Sequence, residues 1–220
     1  MTAFRHGAKP VIGLIGGIGA GKSTAARYFA ARGGLVVDAD ALGHEALKQP
    51  DTIDQIIKRW GTSVRKADGS LDRFAIGRIV FANPAERKIL ESIVFPYIGK
   101  RCEEEIAKGL TNPAVPFVVL DAAVLLEAGW NKEVDWIVYI TAPRGQRIAR
   151  LASRSGWTDA ELASREAAQW REDVKQSRAD VVIHNDADVG AMGSQIDSLL
   201  AKWGLLPSGF QVGHFGEVPR

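Results

Sequence analysis

Few features of this sequence point to an oxidising compartment or to a membrane. Cys102 is the only cysteine among 220 residues, so no disulfide can form within the chain, and its neighbours carry no redox or zinc spacing. No apolar run approaches the roughly 18–20 residues that a membrane span needs. The first ten residues lack the apolar core of a signal peptide. We therefore expect a cytoplasmic protein with no membrane segment and with a buried, structural Cys102.

Excess charge of one sign is also missing. Lys and Arg total 28 and Asp and Glu total 26, which leaves a formal charge of +2. Such a chain has no broad basic face for nucleic acid, although a local cluster of arginines could still bind a phosphorylated small molecule. We expect small-molecule partners, no nucleic acid, and a monomer or weak oligomer.

Short apolar runs, separated by helical patterns, dominate what is present. Five runs have the composition of buried parallel strands, and they cover residues 11–16, 35–38, 117–121, 136–141 and 180–185. This alternation predicts an α/β fold in which a five-stranded parallel sheet lies between two layers of helices.

Uneven spacing between these runs predicts two helical insertions in a single domain. The core would comprise residues 10–40, 113–142 and 179–203, with an acceptor-binding insertion at 41–112, an arginine-rich lid at 143–178 and a flexible tail at 204–220. Within the first insertion, Asn83 and Pro84 are typical of a helix start. Pro96 should interrupt that helix, because proline lacks a backbone N–H and crowds the preceding turn.

The stretch GGIGAGKS fits the phosphate-loop pattern G-x-x-x-x-G-K-[ST]. It follows an apolar strand and precedes a helical pattern that Gly33 ends, which is the context that a phosphate loop requires. The spacing differs from the G-x-G-x-x-G of dinucleotide-binding folds. We predict that a nucleoside triphosphate binds here, with Lys22 on its β- and γ-phosphates and Ser23 on Mg²⁺. The predicted nucleotide contacts in this loop are Gly17, Ile18, Gly19, Ala20, Gly21, Lys22, Ser23 and Thr24.

Three carboxylates close predicted strands and are candidates for the chemistry. Asp38 and Asp40 end the second strand, which we expect to lie beside the phosphate-loop strand. One would orient and deprotonate an acceptor hydroxyl while the other supports Mg²⁺ through water; alternatively, the two acids cap the following helix. Asp121 ends the third strand, where it could hold the Mg²⁺ hydration shell or only tether the next loop.

A small-molecule kinase explains these features better than a GTPase switch does. The segment DALG at 40–43 superficially matches D-x-x-G, and NKEVD at 131–135 has one residue too many for N-K-x-D. Two other possibilities remain open: a P-loop kinase that acts on a nucleoside or a sugar, and a paralogue that binds nucleotide without transferring phosphate.

Taken together, these motifs resemble the dephospho-CoA kinase family. The most specific matches are GLIGGIGAGKST followed by VVDAD, then Gln146, Arg150 and Arg154 in the lid, and a stretch from Gln169 that closes with RADVVIHN. The resemblance implies ATP-dependent phosphorylation of the ribose 3′-hydroxyl of dephospho-CoA, the last step of coenzyme A synthesis, with ATP and Mg²⁺ as cofactors.

The resemblance also assigns roles to individual residues. It makes Asp40 the catalytic base, and it places Lys22, Ser23 and Thr24 at the phosphates and the metal. It implies that Arg150 and Arg154 are lid arginines that close on the ATP phosphates. It also implies that Asn185 lies beside adenine. The implied catalytic set is Asp40, Lys22 and Arg150, and the candidate metal ligands are Ser23, Asp38 and Asp121.

Two departures from the family pattern fall in the region expected to bind the acceptor. The family usually has His-Pro where this chain has Phe95–Pro96. The family segment PLL.E appears here as AVLLE, at 123–127, without its proline but with Leu125, Leu126 and Glu127 retained. Glu127 could support the acceptor loop or face solvent.

Overall fold

A computed structural model describes residues 4–186 and 189–206 of the chain. The chain divides into two compact units. One comprises Met1–Asp38 together with Glu105–Arg220, and the other comprises Ala39–Glu104. Residues 105–112 of the predicted insertion therefore group with the first unit.

The first unit is built on the predicted parallel sheet. Its strands are β1 Val11–Gly16, β2 Leu35–Asp38, β3 Val118–Asp121, β4 Trp136–Thr141 and β5 Val181–His184. All neighbouring strands run parallel, in the order β2-β3-β1-β4-β5. Every residue of β1 is buried, which explains why this strand is a continuous apolar run rather than an alternating one.

The expectation that β2 lies beside β1 is wrong. β3 occupies that position: Leu14 pairs with Asp121 across β1 and β3, and Asp38 pairs with Asp121 across β2 and β3. Consecutive strands are neighbours in only roughly two-thirds of cases, and here the chain returns after the long insertion to fill the gap next to β1. Asp121 therefore lies on the strand adjacent to the phosphate loop, and Asp38 lies one strand further out.

Nine α-helices are assigned within the described residues. They are α1 Lys22–Ala31, α2 Ala39–Ala46, α3 Pro50–Trp60, α4 Arg73–Ala82, α5 Pro84–Thr111, α6 Arg144–Ser155, α7 Asp159–Glu166, α8 Glu172–Ser177 and α9 Val189–Lys202. The predicted lid thus consists of α6, α7 and α8. No helix in the described part of the chain combines the length and apolar character needed to cross a membrane.

An apolar core joins the sheet of the first unit to α1 and α9. Its buried residues include Ile12, Leu14, Phe29, Phe117 and Ile196. At one margin Trp136 and Trp203 stack with ring centroids 4.1 Å apart. Leu205 and Leu206, at the start of the predicted tail, pack partly buried against this core. The rest of that tail, 207–220, lies outside the described residues.

The second unit has a smaller apolar core of its own. Its buried members are Ile56, Val64, Leu71, Ala75, Ile76 and Val80. Asp72 caps α4, since its carboxylate accepts from the N–H groups of Phe74 and Ala75 at 2.9 and 3.1 Å. Cys102 is buried on α5, as the sequence predicted.

Pro96 does not interrupt α5, contrary to the sequence prediction. The helix continues from Pro84 to Thr111 with Pro96 inside it. Proline removes one backbone hydrogen bond at a cost of about 3 kcal/mol, which a long helix can offset by packing. Val94 and Ile98, on either side of Pro96, are both buried and supply such packing.

A buried ion pair joins α1 to α9 inside the first unit. Arg32 Nε donates to Asp197 Oδ1 at 2.6 Å, and Arg32 Nη1 donates to the Tyr28 carbonyl at 3.2 Å. The two side chains are 5% and 1% exposed. Removal of one partner would leave the other charge buried and uncompensated. Breaking the pair therefore costs more stability than the intact pair contributes as a net gain.

We expect Asp197→Ala to lower the free energy of unfolding by about 3–5 kcal/mol, because Arg32 would stay buried without its carboxylate. Urea denaturation followed by circular dichroism measures this change. Ser198→Ala, at the neighbouring exposed position of the same helix, should shift the value by less than about 0.5 kcal/mol. Equal effects of the two substitutions would contradict the role of the pair.

Candidate active site

The phosphate loop connects β1 to α1 through a backbone path that favours glycine. Gly19 and Gly21 have φ values of 77° and 100°, which are strained for residues with a side chain. A Cβ at Gly21 would collide with Asn185 Nδ2. The N–H groups of Thr24 and Ala25 donate to the Gly21 carbonyl at 3.0 Å as α1 begins. The start of α1 therefore lies at the loop, where free N–H groups and the helix dipole favour an anion.

Lys22 and Asp121 are in direct contact at this helix start. Lys22 Nζ donates to Asp121 Oδ1, and the carboxylate is 7% exposed. The strand order causes this contact, because β3 lies next to β1. Asp38 is exposed at the end of β2, in register with Asp121.

The oxygen donors at this edge suit Mg²⁺. Ser23 lies in the first turn of α1, and Asp121 and Asp38 end adjacent strands. Mg²⁺ usually takes one or two protein carboxylates and completes its octahedron with waters and substrate phosphates. A hydroxyl and two carboxylates beside a phosphate loop fit that requirement.

Asn185 supports the phosphate loop from the end of β5. Its Nδ2 donates to the Ala20 carbonyl at 2.7 Å. Arg150 Nη2 donates both to the Asn185 carbonyl and to Gln146 Oε1, each at 3.0 Å. Arg150 Nη1 is buried without a hydrogen-bond partner. The structure thus brings Arg150, Asn185 and the phosphate loop together, while Arg154, one turn further along α6, is exposed.

Sequence reasoning missed Arg147, whose side chain contacts the phosphate loop directly. It is 5% exposed, and its Nη1 donates to the Ile18 carbonyl at 3.2 Å and to Glu172 Oε1 at 2.5 Å. Many arginines in the lid look alike in sequence, so composition could not single this one out. The available signal was its position four residues before Leu151, because side chains at this spacing share one face of a helix and Leu151 is buried.

A buried lysine, also missed, ties the loop after β3 to the lid. Lys175 is 1% exposed, and its Nζ donates to the Ala123 carbonyl at 2.9 Å and to Gln169 Oε1 at 3.0 Å. It pairs with Glu127 Oε1 at 2.7 Å, and that oxygen also accepts from the Trp170 N–H at 2.9 Å. The sequence left two roles open for Glu127, support of the acceptor loop and exposure to solvent. These contacts favour support of the loop.

A cavity of about 490 Å³ opens beside these groups. Its walls come from the first residues of the phosphate loop, from the start of α6 and from the segment that runs from α7 into α8. The lining residues are Gly16, Gly17, Ile18, Arg144, Arg147, Glu166, Ala167, Gln169, Trp170, Arg171, Glu172, Asp173 and Lys175. The phosphate loop and the lid therefore share a cavity of ligand size.

Removal of the Lys175 ammonium should strongly destabilise the first unit. We expect Lys175→Met to lower the free energy of unfolding by about 3–5 kcal/mol, because Glu127 would be left buried without its cation. Lys175→Met with Glu127→Leu should recover part of this loss. Urea denaturation measures both, with Lys132→Met at a 72% exposed side chain as the control. A single variant as stable as that control would contradict the burial argument.

Tyr139 makes stability sensitive to alkaline pH. Burial in β4 raises the pKa of its hydroxyl to about 12, and the negative charge of Glu172 adds to the effect. An unfolded chain releases this proton at about pH 10, so between the two pKa values deprotonation stabilises the unfolded state and the free energy of unfolding falls as pH rises. Tyr139→Phe should lose less stability than the parent between pH 9 and about pH 11 in urea denaturation. Equal losses of stability in Tyr139→Phe and in the parent over this pH range would contradict the role assigned to Tyr139.

The chain matches proteins of known activity along most of its length. A family model described as Dephospho-CoA kinase matches residues 10–190. A dephospho-CoA kinase of Anaeromyxobacter dehalogenans is 42% identical over 193 residues, which cover 87% of this chain and 90% of that protein.

Solved structures give the same picture for the fold. A Thermus thermophilus protein is similar with a TM-score of 0.74 and 32% identity, covering 88% of this chain and 97% of its own. A Campylobacter jejuni dephospho-CoA kinase is similar in fold, with a TM-score of 0.65 and 22% identity over 89% of this chain and 99% of its own. Taken with the phosphate loop and lid, these matches show that the chain belongs to the dephospho-CoA kinase family.

Proposed function

We propose that this chain transfers the γ-phosphoryl group of ATP to the ribose 3′-hydroxyl of dephospho-CoA, giving coenzyme A and ADP in the last step of coenzyme A biosynthesis. The observation that carries this proposal is the phosphate loop at the start of α1, with Lys22 and Asp121 in contact beneath it, in a chain of this family. Relatives that match it over most of their length are named dephospho-CoA kinase.

ATP binds, in this proposal, with its phosphates on the N–H groups of the loop from Gly17 to Thr24. Lys22 exchanges part of its contact with Asp121 for the β- and γ-phosphates. Arg150 and Arg154 approach the phosphates from α6, since a guanidinium keeps its charge and presents several donors in a fixed plane. Asn185 lies beside adenine, where its link to Ala20 couples the adenine end to the loop.

Asp40 is the base in this reaction. It lies exposed in the first turn of α2, within the second unit. Its carboxylate accepts the proton of the 3′-hydroxyl while that oxygen forms a bond to the γ-phosphorus. The bond between the γ-phosphorus and the bridging oxygen of ADP breaks in the same displacement, and the negative charge passes to ADP.

Ser23, Asp38 and Asp121 would hold Mg²⁺, Ser23 directly and the carboxylates through water. When bound, the ion neutralises charge on the β- and γ-phosphates. The protein groups keep their own tasks: Asp121 orients Lys22, and the lid excludes water that could otherwise hydrolyse ATP.

The altered acceptor loop retains a firm anchor in spite of its missing proline. The Ala123 carbonyl accepts from Lys175, and Glu127 pairs with the same ammonium. Phe95 is half-buried on α5, at the position where the family usually has a histidine. The contacts of Lys175 fix the loop after β3, and dephospho-CoA is the proposed acceptor because the chain belongs to the dephospho-CoA kinase family.

The direct test is ADP release from Mg·ATP with and without dephospho-CoA, with mass spectrometry of the acceptor. We expect acceptor-dependent release and a product heavier by one phosphate on the ribose. A nucleoside or sugar that replaces dephospho-CoA with equal turnover would identify a different small-molecule kinase. ATP binding without turnover on any of these acceptors would overturn the proposal.

Asp40→Asn should abolish transfer and leave ATP affinity nearly unchanged, because the amide cannot accept the hydroxyl proton. Loss of a general base typically costs about 10²–10⁴-fold in kcat. Asp51→Asn is the matched control, since Asp51 is an exposed acid in the first turn of α3 in the same unit. Undiminished turnover of Asp40→Asn would remove Asp40 from the mechanism.

A further inference from the structure

Arg147 is the centre of a charged cluster beneath the first residues of the phosphate loop. Its Nη1 lies 2.5 Å from Glu172 Oε1 and 2.9 Å from Glu166 Oε1, and it donates to the Ile18 carbonyl at 3.2 Å. Glu166 also pairs with Arg144, at 2.7 Å, whereas Glu172 lies against Arg147. One guanidinium thus joins the loop backbone to carboxylates from the end of α7 and the start of α8.

This cluster touches the loop backbone itself. A Cβ built on Gly17 would come within 2.7 Å of Glu172 Oε1 and 2.8 Å of Arg147 Nη1. Gly17 is among the residues proposed to bind the ATP phosphates. A carboxylate this close to a triphosphate repels it, and water screens the repulsion only in part, since the Glu172 and Glu166 side chains are 39% and 22% exposed.

We infer that Arg147 is a positioning residue for ATP. It contacts the backbone of the phosphate loop and the carboxylates beside it, and it does not bind the phosphates itself. It holds the Ile18 carbonyl and neutralises Glu172 and Glu166, so that the loop can accept a polyanion next to these two carboxylates. The inference rests on the proposed function, because it concerns ATP affinity at that same loop.

Removal of Arg147 and removal of the Glu172 charge should change ATP affinity in opposite directions. This difference distinguishes the positioning role from a purely structural one. Loss of Arg147 exposes the phosphates to uncompensated negative charge and weakens ATP binding. Loss of the Glu172 charge leaves Arg147 with less compensation, so ATP binding stays equal or tightens. A pair that only supports the fold would weaken ATP binding in both cases.

The test compares Arg147→Met, Glu172→Gln and the double variant by steady-state kinetics with saturating dephospho-CoA and by ATP titration calorimetry. We expect Arg147→Met to raise KM for ATP at least about tenfold, with kcat changed by less than about threefold, because uniform binding is lost. Glu172→Gln should leave KM unchanged or lower it. The double variant should return KM to within about threefold of the parent.

Lys202→Met is the control, because Lys202 is an exposed cation at the end of α9 in the same unit and does not line the cavity beside the phosphate loop. Its KM for ATP should match that of the parent.

If the parent protein itself fails to turn over dephospho-CoA, the proposed function fails and not this inference. If the parent is active, the inference is overturned when Glu172→Gln weakens ATP binding, when the double variant shows no recovery, or when Arg147→Met lowers kcat with KM unchanged. Should Arg147→Met not fold, the response of Glu172→Gln decides alone.

Discussion

Close approach of side chains to the backbone of the phosphate loop is the constraint on which the site depends. On one side, Arg147 and Glu172 lie where a Cβ on Gly17 would be. On the other, Asn185 lies where a Cβ on Gly21 would be. Because the loop is enclosed from both directions, its shape is set by the lid and by the last strand as well as by its own glycines. A loop held in this way presents its N–H groups to phosphate with little reorganisation.

Buried cations connect the parts of the first unit that surround this loop. Arg32 joins α1 to α9, Arg147 joins α6 to the loop, and Lys175 joins α8 to the segment after β3. Each lies in a place where an unpaired charge would be costly, so each specifies the position of its partners. The lid segment is therefore attached to the core by directional contacts.

Local patterns predicted the strands and the phosphate loop well, because continuous apolar runs and the G-x-x-x-x-G-K-[ST] spacing are properties of short segments. The expected pairing of β2 with β1 was wrong, since the position of β3 between these strands depends on where the chain returns after a long insertion. Pro96 was misjudged for a similar reason: packing of the flanking residues outweighs a local penalty. Arg147 and Lys175 escaped prediction because a buried cation and a surface cation have the same sequence signature until their partners are known.

A Gly21→Ala variant shows through its affinity for Mg·ATP whether the nucleotide is held by a loop whose backbone path admits no side chain at Gly21. The added methyl would meet Asn185 and would occupy a left-handed conformation with φ 100°. Gly77→Ala, where a Cβ meets only Phe81 at 3.7 Å, is the matched control. In titration calorimetry we expect ATP affinity to be reduced by at least about a hundredfold in Gly21→Ala and to be unchanged in Gly77→Ala. Wild-type affinity in Gly21→Ala would contradict it.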